Sequence, residues 1–168
     1  MRRLAIWVMT AGVWLGLCGC AAGQAGEFAI YLATQDVSTI EAMAIELQRI
    51  PLEEEPVLAS DDVISYAAEG HEIRLTDAAY ERLQALQVPV SGRPFVVCVG
   101  AERIYAGAFW TPISSLSFDG VTIWQPLGGD DGIIRIELGY PSSEIVAEDD
   151  PRSDPRVMDA LRQAGKLR

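Results

Sequence analysis

Histidine occurs once in the chain, at position 71, lysine once, at 166, and cysteine three times, at 18, 20 and 98. A zinc centre needs three or four His, Cys or carboxylate ligands, and neither His-x-x-x-His nor Cys-x-x-Cys is present. Gly-x-Ser-x-Gly and Ser-x-x-Lys are missing too, so the usual motifs of a serine nucleophile have no counterpart. Basic side chains are scarce: 13 Lys and Arg stand against 24 Asp and Glu, a formal net charge of −11. Such a surface repels a polyphosphate backbone, which excludes nucleic acid as the expected partner. No metal or cofactor is expected. The 168 residues suffice for one domain and a tail.

What is there begins with an export pattern. Met1-Arg2-Arg3 is followed by the uncharged, mostly apolar run Leu4–Leu17, shorter than the about 20 residues a membrane-crossing helix needs. Residues 1–19 read as a signal peptide. The run closes on Leu17-Cys18-Gly19-Cys20, which resembles the lipobox of bacterial lipoproteins. That resemblance implies cleavage before Cys20, a diacylglyceryl thioether on its sulfur and an acylated new N-terminus. More than one acyl chain holds a protein stably on a membrane. Residues 20–26 then read as a tether. Ala21 follows the cysteine in place of the aspartate that retains some lipoproteins at the inner membrane, so an outer membrane is the expected destination where the cell has one. With Cys18 removed and Cys20 lipidated, Cys98 has no partner for a disulfide.

The pattern of the remaining chain predicts an α+β domain over residues 27–140: a mostly antiparallel sheet with two to three helices packed on one side, plus a C-terminal helix. Phe28–Leu32 alternates like a half-buried strand. Ser38-Thr39-Ile40-Glu41 is a capping box, and Ile40, Met43, Ala44, Leu47 and Ile50 recur at helical spacing up to Pro51. Glu53-Glu54-Glu55 reads as a solvated linker. Ser60-Asp61-Asp62 precedes Val63, Ile64 and Tyr66 as the cap of a short helix ended by Gly70. His71–Leu75 reads as a strand, and Thr76-Asp77 caps a helix with Tyr80, Leu83 and Leu86 on one stripe, closed by Pro89. Phe95–Val99 lacks a polar face and predicts a strand covered on both sides; Gly100–Arg103 turns it into Ile104–Trp110. Thr111–Gly120 is a loop. Val121–Gln125 and Ile133–Leu138 are strands joined through Gly128–Gly132. Residues 141–168 turn acidic and proline-rich and read as a tail ending in a helix capped by Asp154-Pro155.

Few residues bring chemistry with them. A Cys98 and His71 nucleophile pair is conceivable, but a thiol inside Phe-Val-Val-Cys-Val is expected to be buried and inert. Asp130 and Asp131 could hold calcium, although a hairpin turn accounts for the same glycine-rich stretch and the spaced oxygens of an EF-hand are missing. Glu148-Asp149-Asp150 reads as a solvated cluster. Trp110, Pro112, Ile113, Ser114 and Ser115 form a candidate interaction loop, in which apolar side chains sit beside hydroxyls. It either presents a contact surface or folds back to cover the sheet.

Pro56–Val63, His71–Thr76 with the helix after it, Gly92–Gly100, Ile104-Tyr105 and Pro112-Ile113-Ser114 occur in an order similar to that of the extracytoplasmic head domain of the SecD translocase subunit. The resemblance covers residues 56–123 and implies an α+β fold with helices on one side of a sheet. SecD's transmembrane helices and its glycine-rich loop repeats have no counterpart, so a role in driving secretion is not implied. The functional expectation is a lipid-anchored, extracytoplasmic binding or protein-interaction module of the cell envelope, with no catalytic centre. An envelope hydrolase working through acidic residues and a passive structural accessory of an envelope complex are the alternatives.

Overall fold

The computed structural model describes residues 26–129, 132–145 and 150–168. The signal segment, Leu17, Cys18, Gly19, Cys20 and the tether up to residue 25 lie outside the described residues, as do Asp130, Asp131, Glu148 and Asp149. The described chain is α+β. Strands β1 (Phe28–Leu32), β2 (Leu58–Ala59), β3 (Val63–Ala67), β4 (Glu72–Leu75), β5 (Arg93–Val99), β6 (Glu102–Trp110), β7 (Phe118–Trp124) and β8 (Ile133–Tyr140) form one sheet. Three helices accompany it: α1 (Thr39–Ala44), α2 (Asp77–Gln84) and α3 (Pro155–Gln163).

The strand order is β2-β1-β5-β6-β7-β8-β4-β3, so the two edges are neighbours in the chain. Laid flat, seven spacings of about 4.8 Å would separate these edges by about 34 Å. The steps from Ala59 to Val63 span at most about 14 Å. The sheet must therefore curl. A 3₁₀ turn at Ser60–Asp62 makes the link; Asp62 Oδ2 accepts from Ala59 N at 2.8 Å and from Arg82 of α2 at 2.7 Å.

The concave face holds the main core. Phe95, Val97, Phe109, Ile123 and Ile136 from the sheet meet Ala79 and Leu83 of α2 and Val157 and Leu161 of α3. Alternate residues of β5, Val96 and Cys98, point the other way and pack with Ala33 and Ile50. Both faces of β5 from Pro94 to Cys98 are thus buried, as the absence of a polar face over Phe95–Val99 predicts. The helices divide between the faces: α2 and α3 fill the concavity, while α1 and the 3₁₀ turn Leu47–Arg49 lie on the convex side against β5 and β6.

Two local expectations are corrected. Val63–Ala67 is a strand paired with β4, not a helix after Ser60-Asp61-Asp62. The apolar window is too short for its period to discriminate, and tertiary pairing favours β-branched Val63 and aromatic Tyr66 in a sheet. α1 ends at Ala44 instead of running to Ile50, because Ile45 adopts an extended conformation. Its capping box is present, yet Thr39 and Ala42 face inward while Ile40 and Met43 are exposed. The small side chains let the helix lie close to the sheet, which turns the larger apolar ones outward.

Residues 141–168, expected as a tail, supply part of the core. Asp154 caps α3, accepting from Arg156 N at 2.9 Å, with Pro155 at the first helical position. Beyond the helix, Tyr66 N donates to Lys166 O at 2.7 Å and Arg168 N to Tyr66 O at 2.8 Å, so the C-terminal residues cover the outer edge of β3.

Candidate functional site

The parallel pairing of β6 with β7 sets up the site. Gly107 lies opposite Val121 and Trp110 opposite Trp124, so the chain leaving β6 must cross back before β7 begins. Parallel strands are usually joined by a helix of a dozen or more residues in all, which covers the sheet face it crosses. Here residues 111–117 cross without one, on the convex side. Aromatic rings cover the sheet in its place: Trp110 stacks on Phe118 at 5.1 Å between centroids and 8° between planes, and Tyr140 packs against Trp110 at 5.7 Å and Trp124 at 5.2 Å. Two glycines make the room. A Cβ on Gly92 would stand 2.4 Å from Trp110 Cζ3, and one on Gly120 would stand 2.5 Å from Phe118 Cζ.

The crossover is pinned at Ser114. Its Oγ donates to Val90 O at 2.5 Å and accepts from Leu116 N at 3.1 Å, its carbonyl accepts from Tyr140 Oη at 2.9 Å, and its N–H donates to Thr111 O at 3.0 Å. Each predicted loop residue thereby receives a distinct place. Trp110 and Ser114 are buried, Pro112 is half-buried, and Ile113 and Ser115 are exposed, Ile113 by 79%. The loop folds back on the sheet through Trp110 and Ser114, and it also leaves an apolar side chain in water.

Between the crossover and α1 runs a groove of about 550 Å³, walled by Ile40, Met43, Ala44, Trp110, Leu116 and Phe118. Met43 and Asp119 also line a second hollow of about 290 Å³ that continues past Ile45 and Leu47. Ile40 is 82% exposed and Leu116 49% exposed. Single exposed apolar residues are ordinary on a protein surface; a set converging on one concavity makes it the candidate contact site. At its floor, Thr39 Oγ1 and Trp110 Nε1 are buried without a hydrogen-bond partner.

Sequence reasoning named Trp110 of this groove and missed Ile40, Met43, Leu116 and Phe118. Leu116 was the available signal, an apolar side chain between serines in a loop. Ile40 and Met43 gave none, since their spacing suits a core stripe equally well.

The other candidates lie apart. Cys98 is buried on the convex face beside Val96 and Ile50, where burial pushes its thiol pKa up. His71 is buried at the start of β4 with φ +49° and its Nδ1 2.9 Å from Tyr66 Oη. Tyr66 belongs to the core of the opposite face, so the structure does not pair the thiol with the imidazole. No cluster of three or more His, Cys, Asp or Glu suited to a metal occurs among the described residues. The larger hollow of about 1210 Å³ beside Glu53–Glu55 has both of its arginines engaged, Arg82 with Asp62 and Arg93 with Glu53.

Comparison of the chain with protein-family models, with curated proteins and with solved structures gives no match.

Proposed function

We propose that this protein is a binding module of the cell envelope, held to a membrane by lipid on Cys20 and taking an apolar partner in the groove between α1 and the crossover after β6. The observation that carries the reading is the convergence of Ile40, Met43 and Leu116, all exposed, on a concavity floored by stacked Trp110 and Phe118. Leaving such side chains in water forgoes about 1.5–3 kcal/mol for each one that could be fully buried. An occupant recovers that free energy.

The placement of Glu27 suits an anchored module. Glu27 O accepts from Gly100 N at 2.9 Å, at the turn between β5 and β6. Trp110 lies at the other end of this hairpin, beyond the register pair Arg93 and Phe109, about 20 Å along the strands. A lipid on Cys20 would join the fold at the Gly100 end of the hairpin, opposite the Trp110 end. No described helix is long and apolar enough to cross a membrane.

A photoreactive phenylalanine analogue at Ile40, compared with the same analogue at Ile64 on the edge of the sheet, tests this in intact cells. The expected result is a discrete adduct from position 40 and none from 64, lost with Cys20→Ser, together with incorporation of a clickable fatty acid that the same variant abolishes. Equal adducts from both positions would remove the binding reading, and absent labelling would remove the anchor.

A further inference from the structure

The chemistry of the rim selects among apolar occupants, an inference that rests on the binding reading just given. We propose that the groove receives a basic amphipathic protein segment, with its apolar face in the groove and Lys or Arg beside it. The segments that frame the groove, residues 34–50 and 111–120, carry the exposed carboxylates Asp36, Glu41, Glu46 and Asp119 against one arginine, Arg49. Asp119 itself lines both hollows. Hydrogen bonds from the Ser38 hydroxyl and backbone N–H hold Glu41 below the usual carboxylate range, so it stays ionised at neutral pH. A fatty-acid carboxylate or an anionic lipid surface would bring like charge to this rim, whereas a cationic flank is attracted to it.

The two hollows meeting at Met43 and Asp119 suit successive anchor side chains from one face of a helix.

Isothermal titration of the full-length chain tests this with a synthetic helix bearing Leu at i, i+3, i+4 and i+7 and Lys elsewhere. Its counterpart with Glu for Lys, oleate and phosphatidylglycerol vesicles are titrated alongside. The Lys peptide is expected to bind at least about tenfold more tightly than the Glu peptide, and to lose roughly tenfold with Glu41→Lys/Asp119→Lys or with added salt. Ile40→Ser/Leu116→Ser, which changes only exposed side chains, should weaken it similarly. Equal binding of the two peptides, or tighter binding of oleate or vesicles that the Ile40→Ser/Leu116→Ser variant weakens, would overturn the occupant and leave the groove as a binding site. If every probe binds the wild type no better than that variant, the occupant and the binding reading fail together.

Discussion

Tyr66 Oη and His71 Nδ1 stand 2.9 Å apart across the turn between β3 and β4, and both side chains are buried. With the ring proton on Nε2, the phenol donates to Nδ1. Burial, aided by the Arg152 guanidinium and opposed by Asp150, lowers the His71 pKa from its ordinary 6.5. A lowered folded-state value makes the neutral ring the native form. Its contribution is therefore complete above the unfolded-state pKa and is lost as pH falls through the folded one. Urea unfolding should show stability declining below about pH 6.5, and His71→Asn, which tolerates the positive φ at this position, should flatten that decline. Tyr66→Phe should cost about 1–3 kcal/mol near neutral pH, the cost of leaving Nδ1 without a donor. An unchanged acid limb in His71→Asn would count against this assignment.

Gly92 stands at φ +81° with the Trp110 ring where a Cβ would go, whereas Gly129 at φ +88° has nothing within 4 Å of that point. The pair separates backbone strain from steric overlap. Gly129→Ala should cost about 1–2 kcal/mol, the strain of the left-handed region alone. Gly92→Ala adds an overpacking penalty and should cost about 2–5 kcal/mol. Because it displaces Trp110 from Phe118, it should also shift near-ultraviolet circular dichroism, which Gly129→Ala should leave alone.

The legible parts of this fold are those in which sequence and tertiary structure demand the same thing. β5 has no polar side chain between Pro94 and Val99, and only a strand covered on both faces accommodates that. Asp154-Pro155 specifies the start of α3 locally, before any packing occurs. β3 was not legible, because its conformation depends on pairing with β4 and the C-terminal residues, which no window around Val63 contains. Periodicity marked a stripe on α1 but not the direction it faces; that is decided by how close Thr39 and Ala42 let the helix approach. The groove escaped for a related reason. Its walls come from α1 and the crossover, and they meet only because β6 and β7 run parallel, which a serine-rich loop does not announce.

Arg103 links the sheet to the groove. Its Nη1 donates to Leu47 O at 2.9 Å and to Ile50 O at 2.7 Å, holding the turn that follows α1 against β6. Arg103→Ala strands Ile50 O, leaves Leu47 O only the 3.4 Å bond from Ile50 N, and should cost about 1–3 kcal/mol. The loss should be local: hydrogen exchange is expected to quicken over residues 45–52 while β5 and β6 keep their protection. Uniformly faster exchange would show instead that the turn unfolds only with the whole domain.

Removal of Lys166, Leu167 and Arg168 should turn a covered strand into an adhesive one. These residues supply the acceptor for Tyr66 N and a donor to Tyr66 O, and Leu167 packs against the main core. Three backbone bonds along this edge, the one from Ala68 N to Arg168 O included, are lost at about 0.5–1.5 kcal/mol each. The exposed edge matters more, since β3 would present unpaired N–H and C=O groups beside Ile64, already 47% exposed. Sedimentation of the truncated chain should show concentration-dependent self-association. Ile64→Lys in the same truncation should restore the monomer, because a charge on an edge strand opposes pairing without touching the core. If both truncated forms remain monomeric, the C-terminal residues act on stability alone and the edge is protected by another means.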